Sequence, residues 1–526
     1  MPHTDYRMRD KYIQLIIEYI KEKPGYEQAL DNIKKEVMEL GATEEEFDRA
    51  VNLITNVKQQ TSSPYLSQPD KEDFIAENTT QPEPPKTKFD GYKQKALKYV
   101  GIAKNYGVNK KYAAAVAAVL IVILGILPFI SLGNKPKPVN NANVAEIPAN
   151  QTRPAAKPLI PVVYANTVPV DAQKIFSINA GSKIQLTVTG KPKKEVLGFF
   201  PYWMMSEYNS IDLRTLTSIS LFGLETDGNG NIVKQGSDGQ TDGGWAMWND
   251  PNLDKLIAKA KSYGLKVFLT IKCFKNGNID NLATSDSAQQ NFIANVLFLI
   301  NSKNLDGVNI DFEYTGSLSQ QTRDGFTRLM TNLNAALKRQ PPASVLSIDT
   351  YLSSGSEDGL FDISALALNS DYFVIMGYDM HTPNGDPGPV AAMGGNSNII
   401  GYVSNYLEKV NPSQIVLAVP YYGYDWPENV ASPSADMVKI LPYAEIVQQS
   451  QNLQLSWDDT SQTPYFTYKD SNGQERIVHF DNVRSLGIKY DYINSKDLRG
   501  VGIWALGYDG QNKDLENLLI DKFINQ

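Results

Sequence analysis

The pattern of apolar and polar positions changes at about Lys194. From there to the end, short apolar runs alternate with amphipathic stretches, which predicts strands separated by helices. The predicted strands are Glu195–Phe200, Thr217–Phe222, Lys266–Ile271, Gly307–Phe312, Val345–Asp349, Tyr372–Met376, Ile415–Pro420 and Val501–Ala505. Helices are predicted between most of them, for example at Leu253–Tyr263, Ala288–Asn301, Gln321–Arg339 and Asn482–Ile493. This order is typical of an α/β protein and predicts a (β/α)8 TIM barrel. A doubly wound open sheet is the competing fold, but no glycine-rich phosphate loop follows the first strand.

A long insert separates the seventh and eighth predicted strands, from about residue 424 to residue 480. Within it, Pro464–Lys469 and Glu475–Phe480 flank a turn that contains Asn472 and Gly473. An Asn-Gly pair between two such runs is a strong signal for a β hairpin. The insert therefore carries β structure of its own.

The first 58 residues have the periodicity of three short helices, the third of which opens with a capping-box pattern at Thr43 and Glu46. They predict a small helical region. Residues 59–86 are polar and rich in proline, which is typical of a flexible linker. A basic juxtamembrane segment follows up to residue 111.

Residues 112–132 form a run without charge that is long enough, as a helix, to cross about 30 Å of hydrocarbon. We expect a single transmembrane helix here; a buried core helix and a signal-peptide core are the alternatives. Lysines are concentrated before the run, so the positive-inside rule predicts a cytoplasmic amino terminus and an extracytoplasmic carboxy-terminal part. Residues 133–193 then predict a stalk, in which the alternation at Lys183–Val188 allows a short β hairpin.

Composition narrows the possible chemistry. The 526-residue chain has a formal net charge of −8, which argues against a nucleic-acid partner. Its single cysteine, Cys273, excludes an intramolecular disulfide, and the histidines His3, His381 and His479 are far apart with no zinc-ligand spacing. We therefore predict no metal site and no cofactor.

The fourth strand carries the most informative chemistry. Its apolar residues alternate with Asn309, Asp311 and Glu313, so these three polar side chains share one face. The two carboxylates lie about 7 Å apart along the strand. Burying these polar side chains without partners or a function would cost several kcal/mol. The pattern favours an acid–base active site; the alternative is a strand end whose acids meet water or lysines.

Other strand ends add aromatic side chains to these acids. In a barrel the carboxy-terminal ends of the strands form the active site. These ends contribute Tyr202 from the first strand, Met376, Tyr378 and Asp379 from the sixth, Tyr421 and Tyr422 from the seventh, and Trp504 from the eighth. Carboxylates surrounded by aromatic rings are typical of carbohydrate sites.

With these residues, the chain from about Lys194 to its end resembles glycoside hydrolase family 18, the chitinase family. The family's Asp-x-x-Asp-x-Asp-x-Glu signature is matched at Asp306, Asp311 and Glu313, with Asn309 in place of the middle aspartate. The run Met376 to Asp379 resembles the family's Met-x-Tyr-Asp, Trp504 its strand-eight tryptophan, and the insert its small α+β domain. Among family members, the sequences of these motifs look most similar to those of the bacterial spore-cortex and cell-wall lytic branch.

The resemblance implies a role for each residue. Glu313 would be the general acid and base, Asp311 would orient the 2-acetamido group of the substrate, and Tyr378 would hydrogen-bond its oxygen. Asn309, Asp306 and Asp379 would support them, and Trp504, Tyr202, Met376, Tyr421 and Tyr422 would bind substrate. With Asn309 present, Asp311 alone is expected to raise the pKa of Glu313.

The third strand also departs from the family. Thr270 to Phe274 stands where chitinases usually show Ser-x-Gly-Gly, which indicates a different pocket wall and fits a substrate other than chitin. The resemblance thus implies a retaining glycosidase for polymers that contain β-1,4-linked N-acetylglucosamine, above all peptidoglycan, and the run at 112–132 predicts that it is anchored in a membrane. A chitinase or chito-oligosaccharide hydrolase, a non-catalytic sugar-binding relative and a wall-sensing signalling protein are the alternatives. The expected partners are this saccharide, the membrane through one helix, and a cytoplasmic partner of the first 58 residues.

Overall fold

The computed structural model describes residues 167–525, except 357, 431 and 432, together with Leu30, Lys34, Phe47, Asp48, Ala50 and Val51. These six amino-terminal residues are helical, in agreement with the second and third predicted helices. The predicted membrane helix at 112–132, the linker and the first part of the stalk lie outside the described residues. Among the residues that are described, no helix is both long and apolar enough to span a membrane.

Eight parallel strands close into a barrel, which confirms the predicted fold class. They are β1 (Glu195–Pro201), β2 (Ser218–Glu225), β3 (Lys266–Cys273), β4 (Gly307–Phe312), β5 (Val345–Tyr351), β6 (Tyr372–Met376), β7 (Ile415–Pro420) and β13 (Gly500–Trp504). Strand β1 pairs with both β2 and β13, so the sheet has no free edge. The open doubly wound sheet is therefore excluded.

The described helices surround the barrel and extend the insert. They are α1 (Ala172–Ser177), α2 (Gly243–Trp248), α3 (Pro251–Ser262), α4 (Asn276–Thr284), α5 (Asp286–Ser302), α6 (Gln320–Leu337), α7 (Ile363–Ala367), α8 (Ile399–Leu407), α9 (Tyr443–Ser450), α10 (Val483–Ser495) and α11 (Asp514–Leu519). Local chemistry sets their starts: the side chain of Asp250 accepts from the backbone of Asn252, and Pro251 occupies the first turn of α3. Short 3-10 turns (Tyr202–Glu207, Leu352–Gly355, Pro412–Gln414 and Ala435–Met437) and a π turn (Ile520–Ile524) complete the described helical elements.

The insert between β7 and β13 folds as a small sheet with a helix. Its strands are β8 (Tyr422–Pro427), β9 (Lys439–Pro442), β10 (Ser456–Asp458), β11 (Thr463–Lys469) and β12 (Glu475–Phe480), in the order β10-β11-β12-β8-β9. Strands β11 and β12 form the predicted antiparallel hairpin. Gly473 in its turn has φ +81°, a conformation that glycine adopts without strain. Leu441, Ile446, Phe466, Val478 and Phe480 form a separate apolar core for the insert.

The segment before β1 differs from the prediction. Residues 183–188 form no strand, so the hairpin allowed by their alternation is absent. The closed barrel offers this segment no edge to pair with, and the side chain of Asn517 bonds it instead, accepting from Leu186 N at 2.8 Å and donating to Ile184 O at 2.7 Å. Helix α1 buries Ile175 and Phe176 in the main core. Residues 172–193 therefore belong to the barrel domain and not to a stalk.

Candidate active site

A narrow pocket lies at the carboxy-terminal ends of the barrel strands. Its lining residues come from six strands or their ends and from the segment before β1: Thr167, Phe199, Phe222, Asp311, Glu313, Asp349, Val374, Met376, Tyr378 and Trp504. Five of the predicted site residues are thus brought together here: Glu313, Asp311, Tyr378, Met376 and Trp504. Acids and aromatic rings share one concave site, as the strand ends predicted.

Strand β4 positions the two central acids through its alternation. Phe312 points outward, where its ring lies 5.8 Å from the rings of both Phe292 and Phe326. Asp311 and Glu313 point into the pocket and are only 4% and 6% exposed. One apolar face held by packing thus forces the opposite polar face toward the interior of the barrel.

Glu313 has the properties of a general acid. Burial, and then the negative charge of Asp311, raise its pKa well above the usual value for a glutamate. Asp379 and Asp349 raise it further, whereas a hydrogen bond from Tyr351 opposes them. The expectation that Asp311 alone would raise the pKa of Glu313 is therefore wrong, because the neighbouring strands supply two more carboxyl groups.

Asp311 lies near a cation that favours its ionised form. Burial raises its pKa to about 7, and the positive charge of Lys272 counteracts this rise. Lys272 on β3 lies in register with Asp311, and its Nζ is 5.4 Å from the ring centre of Phe274 and 5.7 Å from that of Phe222. The Oδ1 atom of Asp311 is buried, and no hydrogen-bond partner reaches it from the described residues.

Asn309 lies beneath these acids and links three strands. Its Nδ2 donates to Asp349 Oδ1 at 2.7 Å and to Ser347 Oγ at 3.0 Å, both on β5. Its Oδ1 accepts from Thr270 Oγ1 on β3 at 3.2 Å. Asn309 is fully buried, so it supports the pocket from below, as the resemblance implied.

Sequence reasoning missed Asp349, Tyr351 and Lys272. Ser347, Asp349 and Tyr351 alternate with apolar or small residues on β5 in the same way as the polar row on β4. That alternation was the available signal. The importance of Lys272 could be inferred only from its register with Asp311, which requires the paired strands.

Tyr378 and Asp379 follow β6 and are supported from behind. Asp379 accepts hydrogen bonds from the hydroxyls of Tyr422 and Tyr424, the latter at 2.8 Å. Burial raises the pKa of Asp379 to about 6, and these two hydrogen bonds oppose the rise. Tyr422 is 1% exposed and packs edge-on against Tyr378. Tyr422 therefore supports Tyr378 and Asp379 and is not among the residues that line the pocket; direct binding of substrate by Tyr422 stays a prediction.

Trp504 forms the aromatic side of the pocket at the end of β13. Its ring meets Phe222 edge to face, with the centroids 4.6 Å apart, and it also packs against Phe199 and Trp203. These contacts fix the orientation of the indole, so that one side remains available to the pocket. Tyr202 is half-buried beside Trp203 and Lys272 but is not among the lining residues.

Two other predicted site residues lie away from the pocket. Asp306 precedes β4 at the opposite end of the barrel, about 16 Å of strand from Asp311, and its Oδ2 accepts from Val267 N at 2.8 Å. It fastens β4 to β3 and does not support the acids directly. Tyr421 is buried with its hydroxyl 3.2 Å from that of Tyr490 on α10, because side chains alternate at the end of β7 and only every second one faces inward.

Comparison with known proteins agrees with this geometry. Residues 195–509, more than half of the chain, match the model for glycosyl hydrolases family 18. The chain belongs to this family and is a glycoside hydrolase.

The chain is also similar to named relatives and, in fold, to a solved structure. The chain is 28% identical over 283 residues to the human di-N-acetylchitobiase, a match that covers 49% of the chain and 71% of that protein. It is 27% identical over 271 residues to the cortical fragment-lytic enzyme of Bacillus anthracis, which covers 49% of the chain and 61% of the relative. Among solved structures, a family 18 chitinase from Cycas revoluta in complex with (GlcNAc)3 has a similar fold, with a TM-score of 0.53 and 20% identity over 62% of this chain and 99% of that one.

Proposed function

We propose that this glycosidase hydrolyses β-1,4 bonds in polymers that contain N-acetylglucosamine, with peptidoglycan as its substrate, by substrate-assisted retaining catalysis. The observation that carries the proposal is the buried Glu313, with its raised pKa, beside Asp311 in a pocket bounded by Trp504. Family 18 enzymes form an exception to the scheme in which the enzyme supplies the nucleophile. The names of the human and Bacillus relatives support N-acetylated saccharides as the substrate class.

In the first step, Glu313 transfers its proton to the glycosidic oxygen as the bond from that oxygen to the anomeric carbon breaks. The carbonyl oxygen of the substrate's own 2-acetamido group attacks the same carbon and forms an oxazolinium ion. A carboxyl group whose pKa is raised by burial retains the proton for this task at neutral pH.

Asp311 and Tyr378 hold the acetamido group in position. The buried Oδ1 of Asp311 needs a donor, and the acetamido N–H can supply it. The ionised Asp311 then stabilises the positive charge that develops on the oxazolinium ion. The Tyr378 hydroxyl faces the same pocket and can donate to the acetamido oxygen, which aligns that oxygen with the anomeric carbon.

In the second step, the Glu313 carboxylate removes a proton from water, and the resulting oxygen attacks the anomeric carbon. The bond to the acetamido oxygen breaks, and its electrons return to the acetamido group. Two displacements at one carbon retain the configuration, and Glu313 is protonated again at the end of the cycle.

The preference for peptidoglycan rests on two features. The Bacillus relative is named for lysis of cortical fragments. The third strand places the cation Lys272 beside Asp311, and a positive charge near the pocket suits a sugar polymer with acidic substituents better than neutral chitin.

The proposal includes a membrane anchor. The uncharged run at 112–132 and the lysines before it support a single-pass protein with a cytoplasmic amino terminus and an extracytoplasmic catalytic domain. The first 58 residues would then be available to a cytoplasmic partner. Protease treatment of intact cells tests this arrangement: the barrel should be digested and the first 58 residues protected. Protection of the barrel in intact, wall-stripped cells would refute it.

Hydrolysis is tested with the 526-residue chain, purified in detergent, and its Glu313→Gln variant. Each is incubated with purified peptidoglycan and separately with chitin oligomers, and new reducing ends are counted. We expect peptidoglycan cleavage that falls by about 10²–10⁴-fold in the variant, because a general acid contributes on this order. Cleavage of chitin oligomers alone would favour the chito-oligosaccharide alternative. No reducing ends from either polymer, or equal rates in the variant, would overturn the proposal.

A further inference from the structure

The carboxyl group of Asp349 has no place in the mechanism above, although it lines the pocket and is only 4% exposed. Within the described part of the chain, no lysine or arginine forms an ion pair with it. Its recorded hydrogen bond is the one from Asn309 Nδ2 at 2.7 Å. Burying a carboxyl group whose recognised contact is one neutral amide lowers the stability of the fold, and no ion pair compensates for this cost. The presence of Asp349 therefore indicates a functional role.

Its surroundings point to the catalytic acids. The titratable groups around it are Asp311 and Glu313 on and after β4, Tyr351 on its own strand, and Tyr372, Tyr378 and Asp379 on and after β6. Lys272 on β3 lies beside Asp311. Three of these groups are acids that share a poorly solvated space with Asp349. In such a group not every acid can be ionised, so each carboxyl influences how firmly the others keep their protons.

We propose that Asp349 is a positioning residue of the active site, which fixes the Asn309 amide beneath Asp311 and supplies the additional carboxyl that keeps Glu313 protonated. This inference rests on the proposed function of Glu313 as the general acid. Its basis is the direct contact with Asn309 and the shared pocket. The raised pKa of Asp349, caused by burial and by Asp311, is consistent with it.

The hydrogen bond between Asn309 and Asp349 allows an exact exchange of the two groups. In the Asn309→Asp/Asp349→Asn double variant, the amide and the carboxylate change strands, and an N–H···O bond still joins β4 to β5. Thr270 and Ser347 carry hydroxyls that can donate to an aspartate at 309. The exchange therefore keeps the volume, the hydrogen bond and the number of acids.

The test measures kcat/KM against pH with peptidoglycan fragments for the wild-type chain, Asp349→Asn and the double variant. Asp349→Asn removes a carboxyl that competes with Glu313 for ionisation, so the Glu313 proton is lost at lower pH. The alkaline limb should move down by about one pH unit, with roughly a tenfold lower rate on that limb. The double variant should recover most of this shift. Ser347→Ala is the matched control, because it removes the second hydrogen bond that the Asn309 amide donates without removing a carboxyl, and its alkaline limb should not move.

A second readout does not require turnover. Infrared difference spectra across the same pH range follow the protonated carboxyl signal, with Glu313→Gln to assign it. The signal of Glu313 should disappear at lower pH in Asp349→Asn. An unchanged Glu313 titration in a folded Asp349→Asn variant, or a double variant that behaves like the single one, would overturn the role of Asp349. If the Glu313 titration shifts in Asp349→Asn but the wild-type chain cleaves neither polymer, the proposed function is refuted. The electrostatic coupling between Asp349 and Glu313 would still stand.

Discussion

Replacing Lys272 with methionine removes the positive charge that β3 places beside Asp311. Neighbouring strands are about 4.8 Å apart, so we take the two charges to be about 6 Å apart. At an effective dielectric constant of about 20 their attraction is about 3 kcal/mol, which corresponds to at most about 2 pH units. Without Lys272 the pKa of Asp311 rises above its value of about 7, and the ionised fraction at pH 7 falls from about one half to roughly 1–10%.

Since Asp311 must be ionised in the proposed mechanism, the acid limb of kcat/KM should move to higher pH by about 1–2 units. The rate at pH 7 should fall roughly 5- to 50-fold. Methionine fits among the rings of Phe222, Phe274 and Tyr202, and circular dichroism should confirm that the variant folds. Lys272→Arg keeps the charge and is the control that should retain the acid limb. A variant that is slower by the same factor at every pH would refute the electrostatic argument and leave Lys272 a purely steric role.

Other substitutions separate catalytic from structural contributions. Tyr378→Phe removes a hydroxyl from the pocket and should lower kcat by about 10²-fold. The Tyr421 hydroxyl contacts Tyr490 instead, so the kcat of Tyr421→Phe should stay within about twofold of wild type. Similar rates for both variants would contradict the placement of these tyrosines. Lys489→Met leaves the fully buried Asp481 without its ion-pair partner at 2.6 Å and should lower the free energy of unfolding in urea by about 3–5 kcal/mol. The Lys489→Met/Asp481→Leu pair should recover most of this loss, and a stable Lys489→Met single variant would refute the assignment.

The sequence was most informative where both faces of a strand are buried. The predicted bounds of β4, β6 and β7 agree with the structure residue for residue. Strands β6 and β7 are nearly continuous apolar runs, because helices cover them on one side and the barrel interior packs on the other. The polar row of Asp311 and Glu313 was also predicted correctly, since strand alternation is a local property. The strand pattern and the motif together were enough to predict the barrel and to propose Glu313 as the general acid.

Residues whose role depends on pairing between strands were harder to predict. The predicted fifth strand ends at Asp349, whereas β5 continues to Tyr351, so the alternation that includes Tyr351 extends beyond the predicted strand. Tyr421 and Tyr422 look equivalent in sequence, but Tyr421 turns toward Tyr490, whereas Tyr422, the first residue of β8, packs against Tyr378 and donates to Asp379. Their placement follows from tertiary packing, which local patterns do not specify.

Thr167 lines the pocket although it precedes the first barrel strand and the family match, which begins at residue 195. One wall of the cleft is therefore built by sequence that the shared barrel does not contain. Two family members with identical strand ends can thus differ in how many sugar units fit along the cleft, through this leading segment alone. A shortened chain that starts at the barrel would retain Glu313 and Asp311 but would have a more open cleft, so its product lengths should differ from those of the longer chain.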